Sequence, residues 1–379
     1  MISIAAVGIE LPLARVTGIS TRLIRGRHFL LIRLRDNSTG IEGFGYTYVG
    51  SHGSRTAVTM FQEVFAPLLN EMISESITEI WEKLYAETLL IGRGGLALRV
   101  LSAIDIALWD LRTREMNVSL AAALGGRAKG VPAYASGGYF YSGVDPIDSI
   151  KTEMKRNVES GFTKHKIKVG GHDLVQDAKR VAAAFEVLPM NHELALDANN
   201  AYVNSYVAAK ALEKFELAAG TRGLWWFEEP LGPSDVEGHS FLKSRFATPI
   251  ASGEILQTRH EVRPYIDTRA VDFLQIDAGV IGGITEFFKV AQAASVAQMA
   301  IAPHWHANLH GHLATALENC VIVEHFLLEK DIYNFEILLT PSSRMQFSNG
   351  EVLVENNIGL GLTFDEEKIT RFKVADFQW

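Results

Sequence analysis

The chain contains almost no cysteine and no long apolar run. Cys320 is the single cysteine among 379 residues, so an intramolecular disulfide is excluded and a reducing cytoplasm fits. No stretch approaches about 18 uninterrupted apolar residues, which argues against a membrane-spanning helix. The first residues, MISIAAVGIELPLARV, lack the basic segment, long apolar run and small-residue cleavage site of a signal peptide. We therefore expect a cytoplasmic protein with no membrane partner.

Positive charge is also in short supply. Lysine and arginine total 36 against 44 for aspartate and glutamate, which gives a net charge of −8. Nucleic-acid binding relies on a basic surface, so this balance argues against a nucleic-acid partner. The remaining composition, 47% hydrophobic and 21% charged, is that of an ordinary soluble globular protein. A length of 379 residues predicts two domains, or one large α/β barrel with an addition.

Two kinds of sequence pattern follow one another in the first part of the chain. Residues 1–60 are typical of strands and turns, and residues 56–125 are typical of helices. One segment of the second part, VLSAIDIALWDLRTREM, carries an apolar stripe at helical spacing. The stripe consists of Leu101, Ile104, Leu108 and Leu111. This first part of the chain is therefore predicted to form an α+β unit.

From about Val131 short apolar strands alternate with longer helical stretches. The strand candidates are VPAYASGG, KHKIKVG, ELALDANN, LWWFEEP, PIASGE, VDFLQIDAG, MAIAPH and VIVEHF. Repeated βα units of this number predict a parallel α/β barrel of the TIM type. In such barrels the chemistry lies at the carboxyl ends of the strands.

Seven consecutive strand candidates place an ionisable residue at this same end. In chain order these residues are Lys166 with Lys168, Asp197, Glu228 with Glu229, Glu254, Asp277, His304 and Glu324. One acid at a strand end is usually a helix cap or a solvated turn. Seven in register are better explained by a polar centre, because charges facing into a barrel mouth are costly unless they pair or bind a metal.

Three of these acids, Asp197, Glu228 and Glu254, come from adjacent strands. Converging carboxylates repel one another, and a hard divalent cation removes that repulsion. An all-oxygen ligand set favours Mg²⁺ over zinc. Glu228 and its neighbour Glu229 point to opposite faces, so only one is expected to bind the metal, and the other is expected to pair with a lysine or arginine.

These motifs resemble the enolase superfamily, and within it the mandelate racemase subgroup. The resemblance covers nearly the whole chain. Its motifs are VLSAIDIALWDLRTREMNVSLAAALGG, KIKVG, LDAN, FEEP, SGE, QIDAGVIGGITE, APH and NNIGLGLTFDEEKITRF. The sequence departs from the usual pattern at Val100 and Thr113, where small residues are more common, and at Ile358, where a proline is usual.

The resemblance implies a fold and a division of the chain. An N-terminal α+β capping domain would span residues 1–125, and a modified TIM-type (β/α)7β barrel with the active site would span residues 126–345. Residues 346–379 would return to the capping domain. Two specificity loops, about 13–27 and 46–54, would close over the barrel. Their polar and basic residues, which suit a polyhydroxylated acid, are Arg15, Thr17, Thr21, Arg22, Tyr46, Tyr48 and His52.

The resemblance also implies a role for each residue at the strand ends. The residues that match the Mg²⁺ ligands are Asp197, Glu228 and Glu254. Lys168 matches a general base on one face of the substrate, His304 matches the base or acid on the other face, and Asp277 would orient His304. Two further residues, Lys166 and a protonated Glu324, would contact the substrate carboxylate. Lys164 matches no family role.

These residue types suit removal of a proton α to a carboxylate. The resulting enediolate needs a fixed cation, which Mg²⁺ supplies. Lys166 is a like charge expected to lower the pKa of Lys168 so that it can accept a proton. The remaining histidines near His304, namely His306, His310 and His312, are interpreted as packing, capping or substrate contacts rather than a zinc site.

We expect an acid-sugar dehydratase, a hydro-lyase that forms a 2-keto-3-deoxy acid. A racemase or epimerase of a 2-hydroxy acid is the alternative, and a non-catalytic metabolite-binding protein is a second alternative. Dipeptide epimerases and lactonising relatives use a lysine on strand six, which VDFLQIDAGV lacks. A small carboxylate is the expected partner, and a homo-oligomer is expected.

Overall fold

The computed structural model describes residues 2–72, 75–328, 332 and 334–379. The strands are β1 Ile2–Ile19, β2 Arg22–Asp36, β3 Glu42–Gly50, β4 Lys129–Gly137, β5 Phe140–Tyr141, β6 Lys164–Lys168, β7 Glu193–Asp197, β8 Phe227–Glu228, β9 Ile250–Ser252, β10 Phe273–Leu274, β11 Ala300–Ile301, β12 Val323–His325, β13 Gln346–Ser348, β14 Glu351–Val354 and β15 Lys373–Gln378.

Helices fill most of the connections between these strands. The α-helices are α1 Ser54–Met60, α2 Ala66–Met72, α3 Ile77–Ile91, α4 Leu96–Glu115, α5 Leu120–Ala123, α6 Pro146–Glu159, α7 Leu174–Val187, α8 Ser205–Ala219, α9 Val236–Arg245, α10 Thr258–Thr268, α11 Ala278–Ile281, α12 Gly283–Val296, α13 Ala307–Ala316 and α14 Glu366–Phe372. A π-helical segment Phe61–Phe65 joins α1 to α2, and short 3₁₀ turns span Gly220–Arg222, Phe335–Leu338 and Pro341–Ser343. No helix among the described residues is long and apolar enough to cross a bilayer.

The N-terminal sheet is antiparallel and has the order β15-β1-β2-β3. Side chains alternate along β2, so that Phe29 and Leu31 join the barrel core while Leu30 and Ile32 join a second core beneath the helices. The helix α4 packs closely on β3, where a Cβ at Gly45 would overlap the backbone of α4. The sheet is therefore buried on both faces, between its own helices and the barrel.

The helical prediction for α4 is confirmed, and this helix also ties the two parts of the molecule together. All four residues of its predicted apolar stripe are buried. On the barrel side, the Asp105 carboxylate accepts hydrogen bonds from the Thr285 hydroxyl at 2.6 Å and the Thr285 N–H at 2.9 Å. Burial raises the pKa of Asp105 to about 7, against the opposing effect of the hydrogen bonds from Thr285. The neighbouring helix α3 adds a further contact, because the Trp81 indole donates to the Gly282 carbonyl at 2.6 Å.

The second sheet is the predicted barrel. Its parallel strands run in the order β11-β10-β9-β8-β7-β6-β4, and β12 pairs with β4 on the other side. A parallel bridge between Ile301 and Cys320 closes the ring next to β11. The eight parallel strands β4 and β6–β12 therefore form a (β/α)7β barrel, and the predicted fold class is confirmed.

The C-terminal segment contacts both parts of the chain. The hairpin of β13 and β14 pairs antiparallel with β4 of the barrel, whereas β15 pairs antiparallel with β1 of the N-terminal sheet. The residue boundaries that we assign to the three parts stay a prediction.

The segments predicted as specificity loops are largely strand. The β1–β2 ladder shifts register between Pro12 and Thr17 and then continues to the pair Ile19–Arg22. Beyond this bulge, Thr17 and Gly18 also pair with β5, which follows the first barrel strand. The hairpin tip reaches the barrel, where the Ser20 hydroxyl donates to the Val169 carbonyl. Pairing on both edges of β1 explains why this segment is extended rather than irregular.

Candidate active site

The carboxyl ends of the barrel strands converge on one cavity, as the strand pattern predicts. The cavity has a volume of about 180 Å³. The strand-end residues that line it are Lys168, Glu254, Asp277, His304 and Glu324. Lys166, Asp197 and Glu228 are completely or almost completely buried beneath these residues. The opposite wall of the cavity comes from the N-terminal sheet and α4.

Three carboxylates form a compact cluster in this centre. Asp197, Glu228 and Glu254 each offer one oxygen, and these oxygens lie within 4.8 Å of one another. The Oε2 atom of Glu254 is buried and accepts no hydrogen bond within the described part of the chain. Burial raises the pKa of Glu254 and raises that of Glu228 to about 8. A hard divalent cation prefers oxygen ligands such as these. It would bind the unsatisfied carboxylate oxygen and offset the cost of the buried negative charge.

Glu229 points away from this cluster, and its predicted partner is wrong. It accepts hydrogen bonds from the Ser252 hydroxyl at 2.6 Å, from the Gly253 N–H at 2.8 Å and from the Asn200 amide. These are neutral donors, whereas a lysine or arginine was predicted. The difference arises from the backbone of Glu229, which has a left-handed conformation with φ 45°. The side chain is therefore directed to the end of the next strand rather than to the barrel lysines.

Lys166 lies at the floor of the site and is held by three carboxylates. Its Nζ atom lies 2.5 Å from Glu228 Oε1, 2.9 Å from Glu324 Oε1 and 3.6 Å from Asp197 Oδ2. Burial alone would lower the pKa of Lys166, but Glu228 and Glu324 outweigh burial and raise it well above its usual range. Lys166 is therefore a fixed group whose charged form is strongly favoured.

The prediction that Glu324 is protonated is wrong for the metal-free protein. Burial favours the neutral acid, but the adjacent Lys166 and the nearby His304 outweigh burial and lower the pKa of Glu324 to about 2. Its second oxygen accepts the Trp305 N–H at 2.7 Å. Glu324 is thus an ionised carboxylate that pairs with Lys166 and anchors the segment after His304.

Lys168 contacts the carboxylate of Asp197 directly. Burial would lower its pKa, but Asp197 outweighs burial and raises the pKa of Lys168 above its usual value. Lys166 acts in the predicted direction and lowers it, yet that effect is smaller than the effect of the touching carboxylate. The prediction of a depressed pKa is therefore wrong here, because a direct ion pair outweighs a like charge farther away.

His304 and Asp277 form the predicted pair on the other side of the cluster. His304 Nδ1 lies 3.0 Å from Asp277 Oδ2, and Asp277 Oδ1 accepts the Gly279 N–H at 2.7 Å. His304 Nε2 lies 3.5 Å from Glu254 Oε2. Burial would lower the pKa of His304, but Glu254 and the hydrogen bond to Asp277 raise it to about 9. The imidazolium is thus favoured, with Nδ1–H directed to Asp277.

His310 has a positioning contact that its sequence context did not reveal. Its ring lies 2.9 Å from the Trp305 carbonyl through Nδ1 and 3.0 Å from the Ala278 N–H through Nε2. Burial lowers its pKa, so the ring is neutral, with Nδ1–H donating and Nε2 accepting. His310 therefore joins the segment that carries Asp277 to the segment that carries His304. The only hint in the sequence is its place on the helix that follows His304.

The predicted specificity residues divide into two groups. Those that line the cavity are Thr21, Arg22 and Tyr48. The others lie elsewhere: Arg15 and Thr17 line a separate surface cleft, Tyr46 is buried with its hydroxyl on Asn308, and His52 packs against His28. Two arginines that were not named among these residues, Arg27 and Arg99, also line the cavity. Arg99 belongs to α4, outside both predicted segments.

Family models match almost the whole chain. Residues 4–125 match the mandelate racemase / muconate lactonizing enzyme N-terminal domain, and residues 149–368 match the enolase C-terminal domain-like family. A curated relative, the L-talarate/galactarate dehydratase of Salmonella typhimurium, is 32% identical over 339 residues, which cover 89% of this chain and 80% of the relative. The 3,6-anhydro-alpha-L-galactonate cycloisomerase of Streptomyces coelicolor is 31% identical, over 94% of this chain and 96% of the relative.

A solved structure supports the same assignment. The L-talarate dehydratase of Polaromonas sp. JS666, in complex with Mg and L-glucarate, has a TM-score of 0.85 and 31% identity, covering 100% of this chain and 98% of that chain. The predicted enzyme class and magnesium cofactor agree with these comparisons. The chain belongs to the mandelate racemase and muconate lactonizing enzyme family of the enolase superfamily.

Proposed function

We propose that this protein is a magnesium-dependent hydro-lyase that dehydrates an acid sugar to a 2-keto-3-deoxy acid. The observation that carries the proposal is the position of the carboxylate cluster between two proton-transfer groups. Lys168 contacts Asp197 at one end of the cluster, and His304 approaches Glu254 at the other end. Both groups line the same cavity. A substrate carboxylate bound over the cluster would have its α-carbon between them.

Each of these residues has a part in the proposed reaction. One group of the Lys168–His304 pair, in its neutral form, removes the α-proton, and the electron pair of the C–H bond forms the enediolate. The enediolate then expels the β-hydroxyl, which takes a proton from the other group and leaves as water. The remaining enol gains a proton at C3 and becomes the 2-keto acid. Asp277 keeps the Nε2 atom of His304 directed into the cavity.

Magnesium would be held by Asp197, Glu228 and Glu254, and when bound it supplies positive charge that stabilises the enediolate. Lys166 adds a second fixed positive charge beneath the same position. Glu324 balances Lys166 and fixes the backbone next to His304. The roles of the metal ligands, Lys168, His304 and Asp277 follow those that the family resemblance implies. Glu324 differs, because the resemblance implies a protonated acid that contacts the substrate carboxylate.

A cycloisomerase is the second candidate, favoured by the similarity to the Streptomyces coelicolor enzyme over nearly the full length of both chains. The same proton removal would then expel an ether oxygen that stays attached to the product, so that no water is released. A racemase would use the same pair to exchange the α-proton between faces. The predicted homo-oligomeric state and cytoplasmic location are part of the proposal.

The test is a panel of acid sugars incubated with the purified protein and Mg²⁺, with keto-acid formation measured as the semicarbazone. We expect one stereochemical group of acids to give a 2-keto-3-deoxy product, with no product from the Glu254→Gln variant. Exchange of the α-proton in D₂O without a keto acid would favour the racemase. Binding without exchange would support a protein that only binds metabolites.

A further inference from the structure

Two arginines form part of the cavity wall opposite the carboxylate cluster. Arg27 is on β2 and only 6% exposed, and Arg99 is on α4. Tyr48 joins them: Arg27 Nη1 donates to the Tyr48 hydroxyl at 2.7 Å, and Arg99 Nη1 donates to the Tyr48 carbonyl at 2.6 Å. All three residues line the same cavity as Lys168 and His304.

Within the described ranges, no carboxylate forms an ion pair with either guanidinium. Asp277 and Glu254 lie near enough to Arg99 to oppose the lowering of its pKa by burial, but neither forms an ion pair with it. The neighbours of Arg27 among the described residues are neutral: the Ile332 carbonyl accepts from Nε at 3.3 Å, and the rings of Trp305 and Tyr48 lie 4.7 and 5.0 Å from its Cζ. A guanidinium has five N–H donors, and two of those on Arg27 bond to residues that the structure describes, Ile332 and Tyr48. Burying a charged group whose N–H donors are not all bonded costs free energy, unless a ligand accepts the remaining hydrogen bonds.

The arginines are placed on the substrate side of the catalytic residues. Arg27 lies over the ring of Trp305, the residue that follows His304 and whose N–H binds Glu324. Both guanidiniums therefore face the cavity from the N-terminal sheet and its helix, while the carboxylate cluster and Lys166 face it from the barrel. A substrate whose reacting carboxylate lies at the barrel end would direct its far end towards Arg27 and Arg99.

From this arrangement we infer that Arg27 and Arg99 bind a second carboxylate, so that the substrate class is an aldaric acid rather than an aldonic acid. This inference rests on the proposed function. A carboxylate matches the planar fork of a guanidinium with two parallel hydrogen bonds, whereas a terminal hydroxymethyl group would leave the charge uncompensated. Tyr48, held between the arginines, would keep both forks at a fixed separation.

The test compares pairs of acids that differ only at the far end. Six-carbon aldaric acids and the aldonic acids of matching configuration are assayed with the wild-type protein and Mg²⁺. We expect kcat/KM for an aldarate to exceed that for its matched aldonate by about 10²-fold, because charged hydrogen bonds are lost in the aldonate. The 6-phosphate of the same aldonate is included, and a preference for it would overturn the choice of a carboxylate.

Variants locate the effect at the two arginines. Arg27→Gln and Arg99→Gln should each lower kcat/KM for the aldarate about 10-fold to 10²-fold, and by more than for the matched aldonate. Arg27→Lys should restore only part of the loss, because an ammonium lacks the planar fork. Arg25→Gln is the matched control, because Arg25 is an exposed residue of the same strand that does not line the cavity.

The outcomes distinguish failure of the second carboxylate site from failure of the proposed dehydratase activity. Dehydration of aldonates in preference to aldarates, or an equal effect of Arg27→Gln on both series, would overturn the second carboxylate site while the dehydratase stands. Absence of both dehydration and α-proton exchange for every acid would overturn the dehydratase itself. If Arg27→Gln does not fold, as judged by thermal unfolding, the Arg99→Gln variant and the wild-type preference decide the question.

Discussion

The ammonium group of Lys168 contacts the carboxylate of Asp197, which also belongs to the cluster that would bind magnesium. The same carboxylate is therefore shared between the proposed base and the proposed metal site. This sharing explains why Lys168 is protonated in the metal-free protein, since the contact raises its pKa. It also links metal binding to proton transfer. A bound cation that neutralises the charge of Asp197 would make Lys168 a better proton acceptor.

Glu254→Gln should weaken magnesium binding while leaving the fold intact. The change removes one of three negative charges with little change in volume, and Glu254 Oε2 makes no hydrogen bond in the described protein that would be lost. We expect at least a 10-fold weaker affinity for Mg²⁺ by titration calorimetry, and a loss of activity. Full activity of this variant in the presence of a chelator would show that the carboxylate cluster is not the metal site.

Asp277→Asn should behave as a milder version of a His304 variant. The hydrogen bond from Nδ1 can persist, but the negative charge that helps to raise the pKa of His304 is removed. The rate should fall at least 10-fold, but by less than with His304→Asn. In a pH–rate profile, the pKa assigned to His304 should move downwards relative to that of the wild-type protein, and an unchanged profile would contradict the pairing.

His310→Gln tests whether His310 positions the proton-transfer pair. The ring bridges the Trp305 carbonyl and the Ala278 N–H, so its loss should let the segments carrying His304 and Asp277 shift. We expect kcat to fall about 10-fold with KM nearly unchanged, because a small displacement affects chemistry more than binding. His312→Gln is the control, since His312 is buried on the same helix without these two contacts. A lower melting temperature with unchanged kcat would indicate a structural role alone.

Asp105 should make the stability of the protein fall as pH rises from about 4 to about 7. Its pKa is raised to about 7 in the folded protein, so the folded state binds more protons than the unfolded state in this range. The protonated form thus stabilises the fold at low pH, and up to about 4 kcal/mol is lost as the group ionises. Denaturant unfolding of Asp105→Asn across this range should lack that contribution. An identical pH dependence in both proteins would contradict the assignment.

The strand-end residues could be predicted because a parallel barrel places the carboxyl ends of all its strands at one mouth. One ionisable side chain at each end is therefore enough to infer that they converge. For the same reason, the metal cluster of Asp197, Glu228 and Glu254 follows from three adjacent strands. The structure places all three within reach of one ion.

Charge states and long-range neighbours could not be predicted in this way. The ionisation of Glu324 depends on the distance to Lys166, and the partners of Glu229 depend on a left-handed backbone conformation. Arg99 reaches the cavity only because α4 packs across the N-terminal sheet with its first turn at the barrel mouth. Such features depend on how separate elements dock, which local sequence patterns do not encode.

The central claim, that Lys168 and His304 flank one substrate, is tested most directly by Lys168→Met and His304→Asn. Dehydration and α-proton exchange are measured together by NMR in D₂O, with Lys164→Met as control because Lys164 lies at the start of β6 and pairs with Glu193. We expect each active-site variant to lose at least about 10²-fold in dehydration, with α-proton exchange surviving in only one of them, and Lys164→Met to stay active. An inactive Lys164→Met beside an active Lys168→Met, or dehydration that survives both active-site changes, would contradict the account.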